Sequence, residues 1–269
     1  MSTLSFTLRQ APHQAVNLSA LQPSKLAGLS AGDIERIELG SGHTAVRVGD
    51  LFAVSGTPGD TITISGSSNE LDHIGSGLDA GTIVVEGNIG NYAGTEMKGG
   101  RLDIRGNAGG YVASAMKGGI ITISGSVGDY VGGTRPGDRF GMLGGTVVIE
   151  GSTGTRAGER MRRGVIVVRG KFGSAAGSRM VGGTLWTETG FGIDPGPLLR
   201  RGTLIGPAVE RLLPTFSDCG YNDLTILRIM SRYMTETLGA RAPKPLPAKV
   251  RRFAGDLATL GKGEILLTV

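Results

Sequence analysis

Gly81, Gly100, Gly119, Gly145, Gly164, Gly183 and Gly202 fall 19 residues apart along this chain, with one step of 26. A period that strict means one structural unit copied in series, and a unit this short buries its apolar face only against its neighbours, so the chain is expected to fold as a solenoid. Within one unit, residues 81–87 alternate like a strand, with Ile83 and Val85 on one face, and Gly87, Gly90 and Gly94 follow in a G-x2-G-x3-G pattern. That pattern returns at Gly125, Gly128 and Gly132, at Gly151, Gly154 and Gly158, and at Gly170, Gly173 and Gly177. Glycine permits positive φ and close backbone approach, so tight bends can recur in every unit.

Stacked units place equivalent residues above one another at about the 4.7–4.9 Å strand spacing. Ile83, Leu102, Ile121, Val147, Ile166, Leu185 and Leu204 form one expected buried column, and Val85, Ile104, Ile123, Ile149, Val168 and Thr187 a second. A third holds Leu78, Met97, Met116, Met142, Met161, Met180 and Leu199. These methionines are spread along the axis, whereas a thioether metal site needs ligands converging on one point, so they are read as core. Glu86, Arg105, Ser124, Glu150, Arg169 and Glu188 form an outward column of mostly opposite neighbouring charges, suited to cross-strand pairing.

Upstream, residues 60–66 and 50–56 resemble the strand piece, which puts the start of the repeats near Ile34. Residues 1–33, with a strand candidate from Leu4 to Leu8, are expected to cap them, the repeats to occupy residues 34–206, and residues 207–269 to form a helix and extended arm. Apolar spacing from Tyr221 to Leu238 fits one helix, the Pro-rich stretch 242–248 an extended connector, and 264–269 a final strand. The single cysteine, Cys219, excludes an intramolecular disulfide. With no apolar run of membrane length and no signal-peptide pattern, a cytoplasmic location is expected.

Catalytic signatures are missing. His13, His43 and His73 have no zinc spacing, and the glycines recur in every unit instead of once between a strand and a helix, so neither a zinc site nor a dinucleotide fingerprint is indicated. Asp129 and Asp138 could be imagined as a glycosidase carboxylate pair, but acids in a polar loop are ordinarily solvated. No catalytic or metal-binding residue is assigned.

The outer surface carries the functional signal. Tyr92, Tyr111 and Tyr130 share one column, continued by Arg156 and Ala175, and are expected to point outward as a docking face or to stack on each other. Lys98 and Lys117 share another, and Arg160 and Arg179 a third; like charges at this spacing repel unless a partner neutralises them. From Arg135 to Arg179 there are nine Lys or Arg against three Asp or Glu, more excess charge than the +5 of the whole chain. The insertion behind the 26-residue step lies within residues 133–141 and puts Arg135, Arg139 and Phe140 on a protruding loop. An acidic partner or polyanionic ligand fits this face; nucleic acid lacks a recognisable module.

Serial G-x2-G-x3-G units joined by Met-x-Gly-Gly, at residues 97–100, 116–119 and 142–145, resemble the right-handed β-helix at the C-terminus of the large chain of glutamate synthase. With the Gly-Asp and Gly-Lys-Gly-Glu elements of residues 255–264, the chain more closely resembles the C subunit of formylmethanofuran dehydrogenase and of its bacterial relative, the formyltransferase/hydrolase complex. The resemblance implies a mainly β fold, a right-handed parallel β-helix with 19-residue coils, an N-terminal cap, and a C-terminal helix plus extended tail. It also implies a non-catalytic scaffold subunit in one-carbon metabolism and methylotrophy. In such complexes formyl groups pass from tetrahydromethanopterin to a methanofuran-type carrier (methylofuran) and are released as formate by other subunits, of amidohydrolase-like, formyltransferase and dehydrogenase-like type. The carrier's glutamate-rich arm suits a basic scaffold, and Arg135, Arg139, Arg156, Arg160 and Arg179, with Lys98, Lys117 and the three tyrosines, are the residues expected to touch the carrier or the other subunits. The corresponding subunit of a molybdenum or tungsten formylmethanofuran dehydrogenase and a free-standing β-helix enzyme acting on polysaccharide are the alternatives.

Overall fold

Successive units lie one above the next in parallel register: Ile83 pairs with Leu102, Leu102 with Ile121, and the ladder runs on through Val147, Ile166, Leu185 and Leu204 to Ile265. The computed structural model in which this is seen describes residues 3–40 and 45–268; His43 lies outside them. The chain is mainly β. Its large sheet has 13 strands, in the order Ser217–Asp223, Lys249–Gly255, Lys262–Thr268, Arg201–Gly206, Thr184–Thr187, Val165–Val168, Thr146–Ile149, Ile120–Ile123, Arg101–Arg105, Thr82–Glu86, Thr61–Ser65, Thr3–Leu8, Phe52–Ser55. All pairings from Thr3–Leu8 to Lys262–Thr268 are parallel, one repeat per step through the middle.

All three expected apolar columns are buried, and every methionine from Met97 to Met180 in the third is fully enclosed. The Met-x-Gly-Gly signature has a packing cause. A Cβ on Gly119 would lie 2.7 Å from Met97 Cε, one on Gly145 would lie 2.6 Å from Met116 Cε, and Gly164, Gly183 and Gly202 stand in the same relation to Met142, Met161 and Met180. Each methionine methyl thus fills the space that a side chain on the next repeat's glycine would need. Those glycines also hold φ between 89° and 109°, which L side chains rarely adopt. The charged column pairs as its sequence implies: Arg105 Nη1 is 2.6 Å from Glu86, and Arg169 lies between Glu150, at 2.6 Å, and Glu188, at 3.2 Å.

The two ends differ from the sequence-based expectation. Phe52–Ser55 is not a further repeat, because it pairs antiparallel with Thr3–Leu8 at the sheet edge. Thr3–Leu8, expected within a cap, is hydrogen-bonded between it and Thr61–Ser65, with Leu4 and Phe6 fully buried. At the other end, the expected helix starts later. Tyr221–Asp223 pair antiparallel with Lys249–Arg251, and ladder hydrogen bonding takes those residues into a strand, leaving a helix over Thr225–Leu238. The final strand, Lys262–Thr268, extends the parallel ladder as expected; Val269 lies outside the described residues.

The helix explains a column that periodicity alone did not single out. At the middle of each strand the residues read Val84, Asp103, Thr122, Val148, Val167, Trp186 and Ile205, polar at Asp103 and Thr122 and apolar from Val148 onward. Leu227, Met234 and Leu238 of the helix, with Leu246 of the connector, pack on Val148, Val167, Trp186 and Ile205 in a second core. Burying these side chains contributes roughly 1.5–3 kcal/mol each. Arg169 donates to the carbonyls of Arg241 and Ala242, and Lys244 N–H to Glu188, which tethers the connector to the charged column. Arg241 in turn reaches Asp103 at 3.0 Å, where Arg101 and Thr122 also donate.

Candidate functional site

After each strand the chain turns a corner through residues held at positive φ. One corner column contains His73, Tyr92, Tyr111, Tyr130 and Arg156, at φ 55–65°, and a second contains Gly77, Glu96, Ala115, Arg160, Arg179 and Leu198. Left-handed backbone costs an L residue about 1–2 kcal/mol relative to glycine. Tyrosine or arginine is therefore held at these positions against a local preference for glycine, a cost that Ala115 and Ala175 carry as well and that a contact made by a larger side chain can offset.

In the early repeats that contact is stacking. His73, Tyr92, Tyr111 and Tyr130 form one continuous pile, with ring centroids 4.8, 5.3 and 4.9 Å apart. The rings are neither buried nor fully exposed, so their edges form a ribbon along the corner. Desolvation, with the neighbouring tyrosines, raises the Tyr111 phenol above its ordinary value, and burial lowers His73.

In the later repeats the corner is cationic. Arg160 and Arg179, one repeat apart, line a cavity of about 550 Å³ together with Arg200, Val181 and Leu198. The insertion closes one side with Arg139 and Phe140, and the C-terminal arm closes the other with Thr259 and Leu260. Phe140 is covered by the Arg139 guanidinium at 5.0 Å and by Arg162 at 4.5 Å. Among the described residues Arg139, Arg160, Arg162 and Arg200 make no ion pair, while Arg179 lies 3.7 Å from Glu159. Four guanidiniums around one open cavity favour an anionic occupant, because each presents a fork of donors matched to carboxylate or phosphate.

Of the residues singled out from sequence, Arg139, Arg160 and Arg179 come together here. Arg135 does not: it is held by Glu96 at 2.6 Å and Asp138 at 2.7 Å, and these carboxylates raise its already high value. Arg156 is engaged by Glu159 at 3.4 Å. Lys98 and Lys117 are exposed on earlier repeats, outside the cavity lining, and Tyr92, Tyr111 and Tyr130 form the separate ribbon. The imagined carboxylate pair has structural work instead, since Asp129 accepts from Thr155 N–H and Asp138 from Arg135. Among the described residues no group of three or more His, Cys, Asp or Glu side chains could hold a metal ion, and no helix is long and apolar enough to cross a membrane. Sequence reasoning missed Arg200, Leu198 and Leu260. Arg200 follows the third column's Leu199 as Lys98 follows Met97, so the column was a usable signal; Leu260 belongs to the non-repetitive arm and gave none.

No protein-family model matches the chain. Among curated proteins it is 40% identical over 90 residues to the C subunit of the formyltransferase/hydrolase complex Fhc of Methylorubrum extorquens, covering 34% of this chain and 33% of that protein. It is 34% identical over 94 residues to the C subunit of tungsten-containing formylmethanofuran dehydrogenase 2 of Methanothermobacter thermautotrophicus, covering 33% of this chain and 35% of that protein. These sequence matches therefore span about a third of the curated relatives' length. The structural likeness is wider. One chain of the X-ray structure of the formyltransferase/hydrolase complex (FhcABCD) from Methylorubrum extorquens, in complex with methylofuran, superposes with a TM-score of 0.92 at 37% identity, covering 98% of this chain and 99% of that one.

Proposed function

Because this chain belongs to the family of the C subunit of the formyltransferase/hydrolase complex, related to that of tungsten formylmethanofuran dehydrogenase, we propose that it is a scaffold subunit of such a complex that also guides an acidic carrier. The observation that carries this reading is the convergence of Arg139, Arg160, Arg179 and Arg200 on one cavity, three of them without an ion pair among the described residues. A methanofuran-type carrier with a glutamate-rich arm fits that donor set. The arginines would pair with its carboxylates. On this reading the chain supplies binding and position, and formyl transfer from tetrahydromethanopterin and release as formate fall to amidohydrolase-like, formyltransferase and dehydrogenase-like partners in the cytoplasm.

We further infer that the stacked repeats from Thr61 to Gly206 close as a right-handed parallel β-helix, with Thr3–Leu8 and Phe52–Ser55 ending its large sheet on one side and the segment after Gly206 returning as an arm whose strand Lys262–Thr268 extends the ladder on the other. Such a rod offers rigid, addressable sides on which several partners can be fixed at once. The likeness to the tungsten dehydrogenase protein keeps that complex as a second reading, at lower identity.

Purifying the tagged chain from its native cells and identifying what accompanies it tests the proposal. Catalytic subunits and a glutamylated furan carrier are expected in constant ratio; a solitary polypeptide free of carrier would contradict it.

A further inference from the structure

Glu159 is a buried carboxylate at the cationic corner, at 6% exposure. Equivalent positions in the other repeats hold Thr95, Ser114, Gly133 and Ser178, also buried. An acid is therefore not needed to fill the position, and in a site built for anions it removes one positive charge. A buried carboxylate is costly unless paired, and Glu159 is paired twice: its Oε1 lies 3.4 Å from Arg156 Nη1 and 3.7 Å from Arg179 Nη1. Those arginines sit on successive repeats, in different corner columns, both on left-handed backbone. The backbone next to Glu159 also meets the returning insertion, where Gly141 N–H donates to the Arg160 carbonyl, so the acid is fixed beside the loop that presents Arg139 and Phe140.

We propose that Glu159 is a positioning residue for the cationic cavity: it holds Arg179 by one edge of its guanidinium so that the remaining donors face the cavity, and it diverts Arg156 away from the ligand. The inference rests on the anion-binding reading above and adds to it a division of labour among the arginines. Arg179 binds through an orientation that Glu159 sets, and Arg156 serves as the second counter-charge beside Glu159. An arginine so held loses less side-chain freedom on pairing with a carboxylate than an unrestrained one.

The test uses the full chain, with synthetic γ-linked tetraglutamate as probe, titrated calorimetrically at low salt into wild type, Glu159→Gln, Glu159→Ser, Arg179→Ala and Glu159→Gln/Arg179→Ala. Serine is included because the same column accepts it at Ser114 and Ser178, which keeps the test available should the glutamine variant not fold. Removing Glu159 should weaken tetraglutamate binding about fivefold, although it makes the cavity more positive. The double variant should bind no more weakly than Arg179→Ala alone, since Glu159 acts through that side chain. A role in folding alone would lower thermal stability and leave affinity unchanged. Tighter binding on loss of Glu159, unchanged binding, or additive losses in the double variant would overturn the inference while leaving the cavity's role intact. Undiminished binding by Arg179→Ala would remove the reading beneath it as well.

Discussion

The early and later repeats share one backbone and carry different chemistry on it. At the corner, His73, Tyr92, Tyr111 and Tyr130 stack into a neutral aromatic ribbon that Arg156 continues, and the neighbouring corner column, Gly77, Glu96 and Ala115 in the early repeats, becomes Arg160 and Arg179. At mid-strand, Asp103 and Thr122 are polar and tied by Arg241, whereas Val148, Val167, Trp186 and Ile205 are apolar and covered by the Thr225–Leu238 helix. The insertion at 133–141 marks the change. The buried columns are uniform because every repeat must pack on the next; the outward columns are free to vary, and their variation divides a regular stack into a half with a stacked aromatic corner and a half with an open cavity lined by arginines.

The largest expected effect lies in the covered half. Trp186→Ala should cost about 3–5 kcal/mol. Hydrogen exchange should rise in the Thr225–Leu238 helix and stay unchanged in Tyr92–Tyr130; uniform loosening would mean that the halves are not separable. Next comes Arg160→Glu/Arg179→Glu, which should weaken tetraglutamate binding by at least about tenfold. Tyr92→Leu/Tyr111→Leu should leave that affinity unchanged, and equal losses would erase the contrast between the two corners.

Smaller effects sharpen the comparison. Tyr111→Leu should cost roughly 1 kcal/mol as two stacked contacts disappear. Because the Tyr111 phenol is raised in the folded chain, its contribution to stability is present below the unfolded value near 10 and is lost as pH rises through the folded value. Ultraviolet titration should therefore find one phenol ionising late, and Tyr92→Leu/Tyr130→Leu should bring it back toward the ordinary range. For Asp103, burial acts upward, but hydrogen bonds from Arg101 and Thr122 and the charge of Arg241 outweigh it and hold the carboxyl below its ordinary value. Its contribution is present above the unfolded value near 4 and is lost as pH falls through the folded value. Exchange protection around Arg241 should drop over that acidic window in the wild type and be pH-independent there in Asp103→Asn.

Much of this was legible in the sequence wherever the cause is repeated. The three buried columns, the Glu86 to Glu188 charge column and the joint placement of Arg160 and Arg179 follow from a 19-residue step and strand alternation alone. What escaped depends on contacts made once. The antiparallel return of Phe52–Ser55 beside Thr3–Leu8, the strand that takes up Tyr221–Asp223 and the approach of Leu260 to Arg200 are all long-range and leave no period. The neutralisation of Arg135 by Glu96 was hidden for the same reason: the insertion bends back across two repeats to make it.

The central claim is that the later corner, and not the aromatic one, receives an acidic chain. Hydrogen–deuterium exchange of the full protein with and without γ-linked tetraglutamate tests it most directly. Protection is expected at residues 139–141, 160–163, 179–182, 198–201 and 259–261, with residues 92–130 unchanged. Protection centred on Tyr92, Tyr111 and Tyr130, or none at any arginine of the cavity, would contradict the account.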